Sequence, residues 1–530
     1  MSSTYDMIVV GSGPAGVSAA FPLLEAGLRV LMIDRGKLPD APMIKADFLS
    51  ARQHDPDQWT WMVGRDFHAM RMRSAASPKF RVPSLAYSFE GFGRENDIKG
   101  DHFITVGSLA AGGLSNAWGC GVARLSSTEL AAFPLESASD MDHSYEVVSR
   151  RIGISGHIHD DLSDYFELDA YAQPPIPMDP LHTSLTNRYS VQRLKLHAQG
   201  FRLGRSRVAA LSEDLSERKA CTLSGNCLWG CQQRSLYSAV YDLPALHRYT
   251  NFTRISGFVV KGMARSGSTW HVEGRHTDGT PQSLSADTLV LAAGTLASTR
   301  LALNALKYDK AVPVLSNPIA AFALWLPRFI AADRTPGFGL GQLSFTVSLA
   351  NSIAYGSTFS TTAIPVSEFA RHLRWRRRYG IDILSGLLGS CLVGNLFLPG
   401  NLTAGEARLQ KDGGLTVSGT YRHPVTSLIK EAADKLHRAF RSLGALVLPG
   451  SFTLGPPGGD IHYAGTIPMR SHPSIGESSS VGEVAGLDGV HIVDGASLPV
   501  LTEKPHTLTI MANADRIGRK IATRYGRTVD

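Results

Sequence analysis

The chain has 530 residues, of which 43% are hydrophobic and 19% charged, with a formal net charge of +7. This is the composition of an ordinary globular protein, long enough for roughly two or three domain-sized units. No apolar run reaches the roughly 18 residues of a membrane span, no nucleic-acid motif is visible, and five cysteines without a regular framework fit a reducing compartment. The first residues run directly into a strand pattern, so no signal peptide is expected, and the location read from these features is cytoplasmic.

The opening carries the strongest signal. An apolar run over 5–10 enters Gly11-Ser12-Gly13-Pro14-Ala15-Gly16, a small-residue helix is expected over 17–26, and a second strand over 29–33 ends in Asp34-Arg35. This is the G-x-G-x-x-G fingerprint in its strand–turn–helix setting, with an acid at the end of the second strand to accept hydrogen bonds from a ribose. Gly11 allows the turn, Gly13 lets the backbone approach a pyrophosphate, and Gly16 lets the helix pack on the strand, so that the helix N-terminus faces the phosphates. The motif does not separate FAD from NAD.

Residues 36–100, rich in Pro, Arg and aromatics, read as loop with short helical pieces. The paired glycines of Ala110-Ala111-Gly112-Gly113-Leu114-Ser115-Asn116-Ala117-Trp118-Gly119-Cys120 suit a backbone lying against a flat ligand. Residues 135–220 alternate between helix and loop, and 160–181 is acidic and Pro-rich. Cys221, Cys227 and Cys231 are spaced C-x5-C-x3-C, which fits structural zinc poorly and leaves buried thiols or a disulfide. A helix is expected over 235–243 with Pro244 as its stop. Strands follow over 252–260, 268–274 and 285–291, then Ala292-Ala293-Gly294 and a helix over 295–304. Strands are also expected over 345–350, 392–398 and 414–419, with a helix over 425–443 and a break at Pro327. Arg371 to Arg378 forms the one basic cluster. It reads first as a solvated face, with docking to a membrane surface or to an anionic, lipid-linked substrate as the alternative. Near the end, Val490-His491-Ile492-Val493-Asp494-Gly495 is a strand entering a turn, and a helix is expected over 507–522. His462 and His506 stand 44 residues apart there, and histidine is the side chain best suited to take a proton near neutral pH. His472 and His491 read as loop and strand residues.

Four of these motifs recur in this order in one family: the fingerprint, GGLSNAW, the 289–295 segment, and the HYAGT…VDGASLP…TIMANA block. The chain resembles a glucose–methanol–choline (GMC) flavoprotein oxidoreductase, and GGLSNAWGC is nearest the pyranose-oxidase-like branch. The resemblance implies an α/β fold with a GMC-type FAD-binding Rossmann-like domain and a substrate domain whose antiparallel sheet is covered by helices. It divides the chain into 1–304, with insertions at about 36–100 and 135–220, then a substrate domain at 305–450, then 451–530 completing the FAD-binding domain. It makes 160–181 a lid or an oligomerisation arm. It implies FAD held by Gly11, Gly13, Pro14, Ala15, Gly16, Asp34, Arg35, Gly112, Gly113, Ser115, Asn116, Ala117, Ala293, Asp494, Gly495 and Thr507. In that branch a histidine before the Trp can carry flavin covalently; Ala117 stands there, which implies noncovalent FAD. The resemblance makes His462 the base that takes a hydroxyl proton during oxidation of a small-molecule alcohol, a sugar, polyol or biosynthetic intermediate, with hydride passing to flavin N5. It makes His506 the partner residue, shifted by one position from the Asn-Pro of many relatives. It implies no metal and leaves the electron acceptor open, oxygen or another. A non-redox lyase or isomerase on the same fold, and an NAD-linked or binding-only protein, stand as alternatives.

Overall fold

A computed structural model of the chain describes residues 5–39, 48–71, 77–135, 138–333, 335–363, 384, 386–526. The basic cluster Arg371 to Arg378 lies outside these residues. The β-branched run Tyr5–Val10 is buried and lies at the centre of a sheet, with Val30–Asp34 on one side and Pro281–Leu291 on the other, both parallel to it. Phe252–Ser256 extends the parallel array beyond Val30–Asp34, and Val490–Ile492 joins beside Leu289, Val290 and Leu291. The first half of Pro281–Leu291 instead pairs antiparallel with Thr269–His276, which pairs with Phe258–Ser266. One long strand therefore couples a parallel dinucleotide-type sheet to an antiparallel ribbon.

Two helices close one face of this sheet. Pro14–Glu25 and Thr507–Tyr525 pack against each other so tightly that a Cβ added at Gly518 would meet the Ala19 carbonyl oxygen at 2.7 Å. Ala138–Ile152 braces the second of them: Tyr145 Oη and Thr509 Oγ1 are 2.8 Å apart, and Ser144 donates to Asp515.

A second sheet is wholly antiparallel, in the order Leu446–Val447, Ile319–Trp325, Cys391–Phe397, Ser352–Ser360, Gly341–Leu349 and Phe201–Arg205. The helix Pro424–Ser442 covers it with Val425, Ile429, Ala432, Leu436, Ala439 and Phe440, which follow the 3.6-residue period. The fold is thus α/β, a Rossmann-like dinucleotide-binding sheet with a helix-covered antiparallel sheet beside it. The edge strand Phe201–Arg205 comes from the 135–220 stretch, so this second sheet draws on chain well before residue 305. A third, four-stranded sheet joins Ile98–Asp101 to Val312–Val314, Thr403–Leu409 and Leu415–Tyr421.

One expected helix is absent. Residues 235–243 form a loop, a 3-10 turn over Ala239–Tyr241 and then the short helix Leu243–Leu246. Pro244 opens that helix instead of ending one, because a proline without an N–H fits the first turn, where that donor has no intrahelical partner.

The acidic stretch after residue 159 is tied down by its own carboxylates. Arg207, fully buried, donates to Asp169 Oδ1 at 2.7 and 2.9 Å, to Asp160 Oδ2 at 3.0 Å, and to the carbonyls of Ile158 and Arg205 at 2.9 Å. Asp161 accepts from Tyr189, Arg193 and His197; although burial opposes it, these bonds pull its carboxyl down to about 2. Cys221, Cys227 and Cys231 are free thiols, and no group of three or more metal-ligating side chains is placed to hold an ion among the described residues. No helix among the described residues is long and apolar enough to cross a membrane.

Candidate active site

A single elongated cavity runs from the Gly-rich turn to the two histidines. At one end it is lined by Gly11, Gly13, Pro14, Ala15, Asp34 and Arg35, and at the other by Lys79, Ala117, Trp118, His462, His506 and Thr507. Gly113, Ser115, Ala293, Asp494 and Gly495 line the stretch between.

The turn is shaped as a cradle. Gly11 has φ +110°, and a Cβ there would lie 2.3 Å from the Ala292 carbonyl oxygen; a Cβ at Gly16 would lie 1.9 Å from the Gly11 oxygen. Those two positions pack strand, turn and helix together. Gly13 differs: its missing side chain faces the cavity, and the nearest atom to a Cβ there is Gly113 Cα at 3.8 Å. Backbone is exposed to the cavity where a phosphate would approach the N-terminus of Pro14–Glu25.

Asp34 lines the cavity while accepting from Ser12 Oγ and, at 2.7 Å, from Arg254 Nη2. Arg35 pairs with Glu95 at 3.0 Å. Three expected contacts stand behind the wall. Gly16 is buried in the helix–strand contact, and Gly112 holds the turn through its N–H bond to Ser12 Oγ. Asn116 spends its amide on the carbonyls of Ala111 and Gly113 at 2.7 and 2.9 Å and accepts from Ser238. Its role is to fold the loop, because a short amide side chain satisfies nearby backbone before it reaches outward. Asp494 likewise accepts from Gly294 N, Ser298 Oγ and Ala496 N, fixing the turn after Leu291; burial still pushes its carboxyl up to about 6.

At the far end the two histidine rings meet edge to face, their centroids 4.7 Å apart. Phe397, the last residue of Cys391–Phe397, stacks on His462 at 5.2 Å. Asn317, just before Ile319–Trp325, lies 3.2 Å from His462 Nδ1 through its Oδ1. The amide orientation follows from its other bonds: Nδ2 donates to the carbonyls of Leu398 and Thr502, both at 2.7 Å. Oδ1 can then only accept, so Nδ1 of His462 carries the proton and Nε2 presents a lone pair. Two residues of the antiparallel sheet region thereby fix the ring plane and tautomer of a histidine that belongs to the other part of the chain.

Burial, and then the charges of His506 and Lys79, hold His462 well below the ordinary histidine value. Burial alone brings His506 down to about 4. Both rings are neutral at pH 7. Asp460 stands 3.7 Å from His462 Nδ1, yet burial pushes its carboxyl up to about 7 against hydrogen bonds from Ser316 and Asn317. Its charge is only partly present at neutral pH, which is why it does not hold His462 protonated. His506 Nδ1 is buried without a hydrogen-bond partner among the described residues. His491 sits in the strand Val490–Ile492 with Nδ1 on the Val481 carbonyl, and His472 is in a loop; neither lines the cavity.

The approach to His506 is anchored from below. Lys504 donates to Glu129 at 2.8 Å and to the Arg124 carbonyl at 3.1 Å, and its ammonium lies over the Tyr165 ring. Tyr165 Oη donates to Glu503 at 3.1 Å. Burial raises the Glu503 carboxyl to about 7. A carboxyl raised on folding contributes stability that is complete below its unfolded value and lost as pH rises through the folded one. Glu503→Gln is therefore expected to gain on the native protein by up to about 3 kcal/mol between roughly pH 4.5 and 7. Thermal melts of both proteins across that range would test this; a constant difference contradicts it.

Known proteins resemble this chain over part of its sequence or in its fold. Residues 5–95 match the family described as pyridine nucleotide-disulphide oxidoreductase. Protein FixC of Azotobacter vinelandii is 43% identical over 51 residues, a match that covers 10% of this chain and only 12% of FixC's own length. The crystal structure of pyridoxine 4-oxidase from Mesorbium loti superposes with a TM-score of 0.61 over 98% of this chain and 100% of that one, at 15% identity. The likeness to the oxidase is one of fold, and it extends over nearly the whole chain.

Asn317, Asp460 and Phe397 escaped the sequence reading, as did Lys79. Asn317 belongs to an Asn-Pro turn signal, and Asp460 lies two residues before His462, but no spacing rule joins either to a role.

Proposed function

We propose that this chain is a flavoprotein of the GMC type that oxidises a CH–OH group of a small molecule. The observation that carries the reading is the fixed tautomer of His462 at the end of a cavity whose other end is a dinucleotide cradle. The residues present fit FAD: a Gly13 backbone open to the cavity, a helix N-terminus for the pyrophosphate, and a second helix N-terminus at Thr507 facing the far end. Bound there, FAD would supply the hydride acceptor.

The protein's own part is proton handling. His462 Nε2, unprotonated, takes the hydroxyl proton, while Asn317 keeps hold of Nδ1–H throughout. The imidazolium that results lies 3.7 Å from Asp460, whose carboxylate form stabilises that charge. His506, neutral and edge-on to His462, orients the substrate oxygen. Phe397 keeps one face of the base dry. The positive end of Thr507–Tyr525 favours negative charge arising at that end of the cavity. The small side chain of Ala117 supports noncovalent attachment.

The purified protein is expected to be yellow and to release FAD into the supernatant on acid precipitation. Anaerobic addition of an alcohol from a screen should bleach it. Colour retained in the pellet contradicts noncovalent binding. Turnover without flavin reduction would favour the lyase or isomerase alternative, and a colourless protein that cannot be reconstituted removes the flavin reading.

A further inference from the structure

Lys79 is the second residue of the 3-10 turn Pro78–Arg81, whose N-cap Ser77 accepts from the Lys79 N–H. Its side chain reaches into the cavity beside Gly119, where a Cβ would lie 4.0 Å from Nζ. The other charges along the wall are matched: Asp34 with Arg254, Arg35 with Glu95, and Asp494 and Asp460 with hydrogen-bond donors. The Lys79 ammonium makes no hydrogen bond or ion pair with any described group. It lines the same cavity as Trp118, His462 and His506.

Building on the alcohol-oxidising reading, we propose that Lys79 forms an anion subsite beside the histidines and selects alcohols that carry a carboxylate. Lys79 is half-buried, with its ammonium on the cavity wall, so an anion brought by the ligand would gain a charge-assisted hydrogen bond there. Burial lowers Lys79 to about 8, so it stays mostly charged at pH 7. A single cation matches a monoanion; Lys79 is the one unpaired Lys or Arg among the described lining residues, whereas a phosphate dianion is usually met by several donors. Nζ beside Gly119 places the ammonium next to Trp118, at the end of the cavity that the histidines line.

The test uses the flavin-loaded protein and two small probes of equal shape, benzoate and benzamide, titrated by calorimetry and by perturbation of flavin absorption. The native protein is expected to bind benzoate about tenfold or more tightly than benzamide, the scale of one charge-assisted hydrogen bond. Lys79→Met should abolish that preference without weakening benzamide, and Lys79→Arg should restore part of it. Equal affinities in the native protein, or no benzoate binding, overturn the subsite, as does a preference that survives Lys79→Met. The same anion chemistry could come from the reduced cofactor. A reduction potential that drops in Lys79→Met while the benzoate preference persists would assign the lysine to that source and overturn the proposal. A protein that takes up no flavin ends the function reading by itself, whereas calorimetry on the flavin-loaded protein reads the subsite separately, so the two failures are told apart.

Discussion

Replacing His462 with alanine is expected to leave cofactor content unchanged while slowing alcohol-driven flavin reduction by about 10²–10⁴-fold, the usual contribution of a positioned general base. The cradle at Gly11, Gly13 and Gly16 lies at the other end of the cavity and does not touch the ring. The effect has a second handle in Asn317. Asn317→Ala leaves His462 in place but removes the acceptor that holds the proton on Nδ1. Its loss should be smaller than that of His462→Ala and should fall on the maximal rate more than on half-saturation. Because burial and the neighbouring charges keep His462 neutral well below the ordinary histidine value, the acid limb of the native reduction rate should lie below about pH 6.5. Stopped-flow reduction at several pH values gives both quantities, and a normal rate in His462→Ala would end the assignment of the base.

The largest stability loss is expected at Arg207. Its guanidinium is fully enclosed and holds Asp160, Asp169 and the Ile158 carbonyl from one stretch of chain, and the Arg205 carbonyl two residues before it. Arg207→Ala leaves two carboxylates, each at least 85% enclosed, without their counter-charge. Removing one partner of a buried ion pair typically costs about 3–5 kcal/mol. The damage should be local at first: 158–173 would open, exposing the Phe166 ring over which the guanidinium lies. Urea unfolding and limited proteolysis would report it. Adding Asp160→Asn and Asp169→Asn to the variant should recover part of the loss, since neutral amides tolerate the missing cation. An unchanged urea midpoint in the single variant would show that the network contributes nothing net.

The parts of the molecule legible in the sequence were those whose signal is local. The run 5–34 declares strand, turn and helix through adjacent residues, and 425–443 shows a helical period that the structure places at Pro424–Ser442. The His462–His506 contact could be anticipated through a family resemblance, and the structure brings the two rings together. What could not be read is what reaches across the chain. Asn317 contacts a histidine 145 positions away. Lys79 sits in a region of weak periodicity. Asn116 looked like a ligand contact because polar residues beside glycines suit both a binding loop and a loop that binds itself, and only the hydrogen bonds to Ala111 and Gly113 separate the two. Pro244 misled for a similar reason, since proline marks the start of a helix as readily as its end.

The contact of Gly518 with Ala19 has a bearing on biosynthesis. The helix Pro14–Glu25 leaves the ribosome long before Thr507–Tyr525, which packs against it at Ala19 and Pro22. At about 5–20 residues per second the interval is roughly half a minute to a minute and a half. Through that time Ala19 and Pro22, both buried in the finished protein against Gly518, lack the helix that packs on them. The nascent chain is then exposed to chaperones and proteases, and the nucleotide pocket acquires its histidine wall only after synthesis has passed residue 506.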